Sequence, residues 1–280
     1  MITTSIQLGD ITFEDVSYDG WSFWDLIDWW GNTSDKSEVV ERPQAHGAFG
    51  VLRSLRESRA ISFQATFIGS SQAETENAFD AISAVGAAGP VQMIVTTPAG
   101  RSARTVTVEK VTPANHRGRK YGRVAVDVIA RDPRRYALDS DVAWVSTGPP
   151  TPGQGLVWPA VWPLVWPGGG SDGRIALTNT GKAPSAPEFR LSGGFSSALV
   201  TCVETGARIG FDRLVPDGSL VQLDTAQHRA ILDGQSDVSR WLRWREWELV
   251  PPGESRTYQF DVTESVGSPR LGGRVLSAWW

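Results

Sequence analysis

Most of the 280-residue chain alternates apolar and polar residues over short stretches that end in Gly, Pro, Asn or Asp. Ile61–Phe67 and Val124–Val128 show this pattern in the first half, and Arg174–Thr178 and Thr257–Val262 show it in the second. Because successive side chains of a β-strand point to opposite faces, a period of two predicts strands with one buried face. The sequence is therefore predicted to be mainly β.

One stretch in the first half has helical periodicity instead. Ser71 and Glu74 fit a capping box, in which the two side chains satisfy free amides of the first turn. Phe79 and Ile82 then recur at helical spacing, and Gly86 is suited to end a helix in the left-handed conformation. The prediction is an N-terminal β domain over residues 1–140 that contains one helix, over residues 71–86.

A region rich in Pro, Gly and Trp separates the two halves. Residues 141–172 contain three Trp-Pro steps spaced four residues apart, which begin at Trp158, Trp162 and Trp166. Proline has no amide hydrogen, so it is excluded from central strands and from helix interiors. We predict an extended linker over residues 141–172. Residues 173–280 carry turn signals about every 8–12 residues without a helical pattern, which predicts a C-terminal β-sandwich.

Composition and motifs argue against several classes of function. The formal net charge of −4 gives no overall basic footprint for nucleic acid. The single cysteine, Cys202, cannot form an intramolecular disulfide, and the three histidines are too scattered for a zinc site. The stretch Gly168–Gly173 has the letters of a dinucleotide fingerprint, but a predicted strand follows it where that motif needs a helix. We expect no enzymatic activity, no cofactor and no bound metal.

The sequence also lacks signals for a membrane or for export. No apolar run approaches the roughly 20 residues that a bilayer span requires. The first residues, MITTSIQLGD, have neither the basic start nor the apolar region of a signal peptide. The expectation is a soluble protein made in the cytoplasm.

A tryptophan-rich segment is the first feature that points to a function. Trp21, Trp24, Trp29 and Trp30 lie within ten residues. At roughly 200 Å² each, they represent about 800 Å² of apolar surface, near one partner's share of a standard protein interface. Three interpretations stay open: the rings fill the domain core, they contact another chain, or they stack on carbohydrate.

Charge is segregated within the first half. Residues 1–41 hold nine acidic residues against Lys36 alone, a net of −8, whereas residues 101–135 hold ten basic and three acidic residues, a net of +7. Either the two segments pair within one domain or form solvated faces, or they lie on opposite sides of a subunit that assembles head to tail. Arg117, Arg119 and Lys120 also fit a basic hairpin tip, which would touch nucleic acid only weakly.

The order of the turn motifs resembles that of the siphophage distal tail protein (Dit) family, among the minor tail proteins of actinobacterial phages. The resemblance covers nearly the whole chain, and the motifs that carry it are His46-Gly47, Arg59–Phe63, Phe67-Ile68-Gly69 before the helix, Arg131–Tyr136, Gly155–Pro159, Asn179-Thr180-Gly181, Pro187 to Gly193, Thr205-Gly206, and Trp247-Glu248-Leu249 before Pro252-Gly253. The chain departs from the family in residues 21–30 and in its ending, Val275 to Trp280.

The resemblance implies a structural protein of the virion, located at the tip of a long non-contractile tail. It implies a first domain that closes a hexameric ring, a galectin-like β-sandwich as the second domain, and a hub that joins the tail tube to the tail-tip proteins. The implied partners are further copies of the chain, the tail tube protein, the tape measure protein, and fibre, lysin or receptor-binding proteins, with no membrane and no specific nucleic acid.

Two predictions about surfaces follow. The candidate subunit or partner interface is made of Trp21, Trp24, Trp29, Trp30, Arg117, Arg119, Lys120, Trp279 and Trp280. The chain ending in Trp279-Trp280 is expected to dock on its own domain or on a neighbour. The alternative function is a carbohydrate-binding tail adhesin, in which exposed Trp among residues 21–30 or 241–247 stack on host-wall glycans.

Overall fold

The computed structural model describes residues 4–17, 19–36, 40–49, 55–114, 120–151 and 170–280. Contacts divide the chain into two compact units. The first unit runs to Leu138 and also includes Trp280, and the second unit is Asp139–Trp279. No helix within the described ranges is long and apolar enough to cross a lipid bilayer.

The first unit is built on a closed β-barrel. Its elements are β1 (Ser5–Leu8), β2 (Ile11–Glu14), β3 (Gly20–Ile27), β4 (Arg59–Ile68), α1 (Gln72–Ala84), β5 (Val91–Thr97), β6 (Gly100–Pro113), β7 (Tyr121–Ala130) and β8 (Arg135–Tyr136). Seven strands follow the order β5-β1-β2-β3-β4-β7-β6, and β6 pairs with β5 to close the ring. The β2–β3 pair is parallel, through the bridge between Glu14 and Ser22, and the other six pairs are antiparallel.

Alternating burial along the strands explains the barrel. In β4 the residues Ile61, Phe63 and Ala65 are buried, and in β7 the residues Val124 and Val126 are buried, while the residues between them are less so. The inward side chains of β4 and β7 belong to one core cluster with residues of β1, β2, β5 and α1. Burial of this apolar face is the main favourable term for the unit, because it removes about 25 cal/mol per Å² of unfavourable hydration.

The helix begins at the predicted cap, Ser71, but the Glu74 carboxylate bonds the amide one residue before this cap. The Ser71 hydroxyl oxygen accepts a hydrogen bond from the Glu74 amide at 3.2 Å, and the Glu74 carboxylate accepts one from the Ser70 amide at 2.7 Å. Phe79 and Ile82 are buried in the barrel core. The helix spans Gln72–Ala84, slightly shorter than the predicted 71–86, and Gly86 follows it with a φ of +80°.

The second unit contains two antiparallel sheets. Its strands are β9 (Val145–Thr147), β10 (Arg174–Thr178), β11 (Pro187–Ser192), β12 (Phe195–Cys202), β13 (Arg208–Phe211), β14 (Leu220–Asp224), β15 (Arg229–Leu232), β16 (Ser236–Asp237), β17 (Leu242–Arg245), β18 (Ser255–Ser265), β19 (Arg270–Val275) and β20 (Ala278–Trp279). One sheet has the order β10-β18-β12-β13-β17, and the other has the order β16-β15-β14-β11-β19-β9. Short 3-10 helices lie at Asp139–Asp141 and Ser239–Trp241.

The two sheets share one apolar core, as in a β-sandwich. Phe189 of β11 packs edge-on against Tyr258 of β18, with ring centroids 4.8 Å apart, and Val200 and Phe260 are buried in the same cluster. The mainly-β class, with the helix in the first unit and a sandwich in the second, is therefore confirmed.

The turn at Asn179 connects the sandwich to the end of the chain. Its buried side-chain amide donates to the carbonyl oxygens of Ala183 and Val250 at 2.8 and 3.0 Å, and its Oδ1 accepts from the Gly181 amide at 3.0 Å. A Cβ at position 181 would lie 1.9 Å from the Ala278 carbonyl oxygen, so only glycine fits there. The sequence motif Asn179-Thr180-Gly181 thus holds strand β20 in place.

The region predicted as a linker is only partly described. Val145–Thr147 was predicted to be linker and instead forms β9, an edge strand that pairs with β19. The prediction was wrong there because a three-residue strand gives no periodicity to detect. The three Trp-Pro steps of residues 158–167 lie outside the described residues.

Candidate assembly surface

The four tryptophans of the 21–30 segment occupy different environments. Trp21 packs in the barrel against Phe13, Phe67 and Phe79, with ring centroids 5.4, 5.0 and 5.8 Å away. Trp29 is also inside the first unit and is only 1% exposed. Trp24 and Trp30 keep 38% and 55% of their surface exposed. Of the four candidates, only these last two present substantial surface to a partner.

A β-bulge in β3 sets which side chains face outward. Trp24 is opposite Gln64 of β4, but Ile27 is opposite Ser62, so three steps along β3 match two along β4. Asp25 lies in this bulge with a φ of +54°. An extra residue in one strand rotates the following side chains by one position. Ile27 therefore points outward like Trp24, although odd-numbered residues before the bulge point inward.

Trp24, Ile27 and Trp30, which we call the exposed aromatic segment, form the apolar part of the candidate surface. The Arg123 guanidinium of β7 lies 5.4 Å from the Trp24 ring centroid, within range of a cation–π interaction. Exposed aromatic side chains next to an arginine are typical of protein interfaces, where Trp and Arg are enriched.

Two buried arginines hold the end of this segment from inside. Arg59 donates to the Asp28 carbonyl oxygen at 2.8 Å, and Arg104 donates to the Trp29 carbonyl oxygen at 2.7 Å. The Nε atoms of both arginines donate to the Pro133 carbonyl oxygen at 3.3 Å. Backbone carbonyls thus take the place of carboxylates as acceptors for these two cations.

The buried arginines are electrostatically costly. Burial, with the positive charges of Arg59 and Arg135 nearby, lowers the pKa of Arg104 to about 9. The pKa of Arg59 is lowered as well, again mainly because of burial. Removing a cation from water without a paired anion is unfavourable. The cost is offset by the carbonyl contacts and by the Trp29 ring, whose centroid lies 4.5 Å from the Arg104 guanidinium carbon.

The sequence analysis did not single out Arg59 and Arg104 for this role, although a signal was present. In the alternating pattern, Arg59 shares the inward positions of Ile61 and Phe63, and Arg104 shares those of Val106. A charged residue at an apolar position of a predicted strand indicates a buried and therefore partnered side chain.

The motif at Arg131–Tyr136 forms a compact polar cluster. The Asp132 carboxylate accepts hydrogen bonds from Arg134 Nε at 2.9 Å, from Arg134 Nη2 at 2.8 Å and from the Tyr136 hydroxyl at 2.7 Å. Burial acts to raise the pKa of Asp132, but these hydrogen bonds outweigh it and the pKa is lowered. The cluster fixes the chain shortly before the end of the first unit at Leu138.

The barrel order separates the two charged regions of the sequence. The strands of the acidic region, β1, β2 and β3, are consecutive in the barrel, with Glu14 in β2, Asp25 in β3 and Asp10 in the turn between β1 and β2. The strands of the basic region, β6 and β7, are neighbours. Strands β5 and β4 lie between these two groups, one on each side. Asp10, Glu14 and Asp25 are exposed on the side at β1–β3, which is therefore acidic. On the side at β6–β7, Arg101, Lys110 and Arg123 are exposed together with Glu109, so its positive excess is small.

The remaining candidate residues are placed as follows. Lys120 is exposed, and its carbonyl oxygen accepts a hydrogen bond from the Gly69 amide at 2.7 Å. Arg117 and Arg119 lie outside the described residues. Trp279 is half-buried in β20, and the Trp280 ring lies 5.3 Å from the Arg56 guanidinium of the first unit. Within the described ranges, no group of three or more His, Cys, Asp or Glu side chains is arranged to hold a metal ion.

Three solved structures of phage hub and baseplate proteins are similar to the chain in architecture. No family model matches the chain, and no curated protein matches it in sequence. The crystal structure of the SPP1 Dit protein (gp 19.1), described as a paradigm of the hub adsorption apparatus in phages that infect Gram-positive bacteria, matches with a TM-score of 0.65, 11% identity and coverage of 100% of both chains. A chain of the phage P2 baseplate in its activated conformation with Ca matches with a TM-score of 0.56, 10% identity and coverage of 98% of both chains.

A second structure of the phage p2 baseplate, with Sr, gives a TM-score of 0.53, 11% identity and coverage of 97% of both chains. At this level of identity, the agreement concerns the course of the backbone over the whole chain rather than individual side chains. The likeness to a distal tail protein that the sequence motifs indicated is thus confirmed at the level of the fold.

Proposed function

We propose that the chain is a structural subunit of the hub at the distal end of a long non-contractile phage tail. In this proposal, the first units pack side by side into a closed ring of six copies, and the ring joins the tail tube to the tail-tip proteins. The observation that carries the proposal is the end-to-end structural match to the SPP1 Dit hub protein.

The charge distribution of the barrel supports a ring rather than a two-fold dimer. A ring uses a heterologous interface, in which one face of each subunit meets a different face of the next. In that arrangement the acidic side at β1–β3 would meet the side at β6–β7, which has a small positive excess from Arg101, Lys110 and Arg123 over Glu109. A two-fold dimer formed through the acidic side alone would instead bring that side against its own copy, and like charges would repel.

The exposed aromatic segment supplies the apolar part of the proposed interface. Trp24, Ile27 and Trp30 are held outward by the β3 bulge and by Arg59 and Arg104 behind it. A fixed apolar surface loses little conformational entropy on association, so more of its burial appears as affinity.

The proposed role is assembly without catalysis. The partners we propose beyond further copies of the chain are the tail tube and tape measure proteins on one side. The partners we propose on the other side are fibre, lysin or receptor-binding proteins. The proposed location of the protein is the tip of the virion tail.

Light scattering on the purified full-length protein tests this proposal. Six copies of the 30.4 kDa chain weigh about 182 kDa. We expect a particle near this mass at low salt and partial dissociation at 1 M salt, where charge interactions act over only about 3 Å. A 30.4 kDa monomer at high protein concentration would contradict a self-assembling ring.

A further inference from the structure

A cleft on the outer face of the five-stranded sheet in the second unit has the features of a ligand site. Its volume is about 340 Å³, within the range of about 300–1,000 Å³ that is typical of small-molecule sites. It is lined by side chains from four adjacent strands, β18, β12, β13 and β17, on the side of the sheet that faces away from the sandwich core. The proposed ring does not use this cleft.

One row of residues across the sheet forms the floor of the cleft. Asp261 of β18 is opposite Leu199 of β12, which is opposite Gly210 of β13, which is opposite Arg243 of β17. The row therefore places an apolar centre between a carboxylate and a guanidinium.

Trp244 lies beside this floor in an unusual backbone conformation. Gly210 pairs with Arg243 and Ile209 pairs with Arg245, so Trp244 is the extra residue of a β-bulge, with a φ of +47°. Left-handed backbone is unfavourable for a bulky residue, and such outliers cluster at functional sites. The Trp244 side chain lines the cleft and remains 49% exposed, and the Arg208 guanidinium carbon lies 5.3 Å from its ring centroid.

Gly210 is what allows the indole to lie against the sheet. A Cβ at this position would be 2.8 Å from Cε3 of Trp244 and 3.1 Å from the Arg243 carbonyl oxygen. Any larger residue would push the ring away from the floor, so the glycine and the bulge together build one flat aromatic side of the cleft.

The polar groups of the cleft have unused hydrogen-bonding capacity. In the part of the chain that the structure describes, the side chains of Ser197, Asp261 and Thr263 form no hydrogen bond or ion pair with protein atoms. The remaining charged pair, Arg243 and Asp212, is closed by a 2.7 Å contact. Two carboxylates against one guanidinium disfavour an anionic ligand.

We propose that this cleft binds a neutral saccharide. A pyranose ring presents an apolar C–H face, which packs on an indole, and hydroxyl groups, which donate to carboxylates and exchange hydrogen bonds with Ser and Thr. Trp244 supplies the stacking surface, Asp261 supplies the acceptor, and Ser197 and Thr263 complete the polar rim.

The experiment is binding of the full-length protein to an array of neutral hexopyranose and N-acetylhexosamine oligosaccharides, followed by titration calorimetry with the oligosaccharide that gives the strongest signal. We expect Trp244→Ala and Asp261→Asn each to weaken this binding at least tenfold. Trp241→Ala is the matched control, because Trp241 is a partly exposed tryptophan three residues away that does not line the cleft. It should bind like the wild type.

Thermal unfolding and light scattering of the same variants separate a lost site from a lost fold or a lost ring. Asp261→Asn keeps the size of the side chain, so it tests the site even where Trp244→Ala alters the bulge. The proposal is overturned if no neutral glycan binds, or if binding survives both substitutions. If no glycan binds and the two substitutions instead abolish binding of another tail protein, the cleft is a protein-docking site and the proposal is overturned.

Discussion

Arg104 contacts Trp29 in two ways at once. Its guanidinium carbon lies 4.5 Å from the Trp29 ring centroid, and its Nη1 donates a 2.7 Å hydrogen bond to the Trp29 carbonyl oxygen. The pair connects β6 to the residues that follow β3 through the interior of the first unit. The position of the neighbouring Trp30 on the surface therefore depends on a buried cation.

Substitution of Arg104 by lysine should destabilise the first unit. The charge stays buried, but the planar fork that reaches both Trp29 and Pro133 is lost, and lysine does not replace its geometry. We expect the free energy of unfolding in urea to fall by about 2–3 kcal/mol. Arg131→Lys, at an exposed position, should stay within about 0.5 kcal/mol of the wild type. Equal stability of the two variants would contradict the role given to Arg104.

The same residue predicts how stability changes at alkaline pH. Burial and the neighbouring arginines lower the pKa of Arg104 to about 9 in the folded state, while the unfolded chain keeps the ordinary, higher pKa of an arginine. Between these two values the unfolded state binds more protons, so raising the pH favours folding. Relative to Arg104→Met, the wild type should gain about 1 kcal/mol in unfolding free energy between pH 8 and pH 10. A difference between the two proteins that stays constant over this range would argue against a titrating Arg104.

The buried and exposed tryptophans should respond differently to truncation. Trp29→Ala removes a core side chain and should lower the unfolding free energy by about 3–5 kcal/mol. Trp30→Ala removes an exposed ring and should change it by less than about 1 kcal/mol. In light scattering, however, Trp30→Ala should shift the assembly toward monomer, because the proposed interface loses apolar area. If the Trp24→Ala and Trp30→Ala variants both assemble fully, the exposed aromatic segment is not part of the interface.

The bulge in β3 gives a matched pair of substitutions at Asp25. Its φ of +54° is readily adopted by glycine and is strained for a β-branched residue. Asp25→Gly should preserve the unfolding free energy, whereas Asp25→Val should lower it by about 1–2 kcal/mol. Glu14→Val, at an exposed strand position without a positive φ, controls for the loss of a carboxylate. If Asp25→Val is as stable as Asp25→Gly, the bulge does not determine the path of β3.

The sequence was sufficient to predict the elements that depend only on residues close together in the chain. The alternation at Ile61–Phe67 and Val124–Val128 lies in β4 and β7, and the Ser71 cap marks the start of the helix. These features depend on strand periodicity and on the first turn of a helix, which are local.

What the sequence did not reveal depends on pairing between distant residues. The outward turn of Ile27 follows from the register of β3 against β4, and the separation of charge follows from the order of strands around the barrel. The site of Trp244 likewise needs Gly210, which is more than thirty residues away in the chain. The spacing of Trp241, Trp244 and Trp247 alone fits neither an ideal strand nor an ideal helix, because the bulge breaks the period.

The parallel β2–β3 pair has a topological cause. A closed barrel can have all neighbouring strands antiparallel only when its number of strands is even. This barrel has seven strands. At least one pair of neighbouring strands must therefore be parallel, and in this chain it is β2–β3, which is bridged at Glu14 and Ser22. On either side of the bridge, Phe13 and Trp21 pack ring to ring at 5.4 Å. Aromatic packing thus closes the barrel at the joint where the hydrogen-bond ladder is shortest.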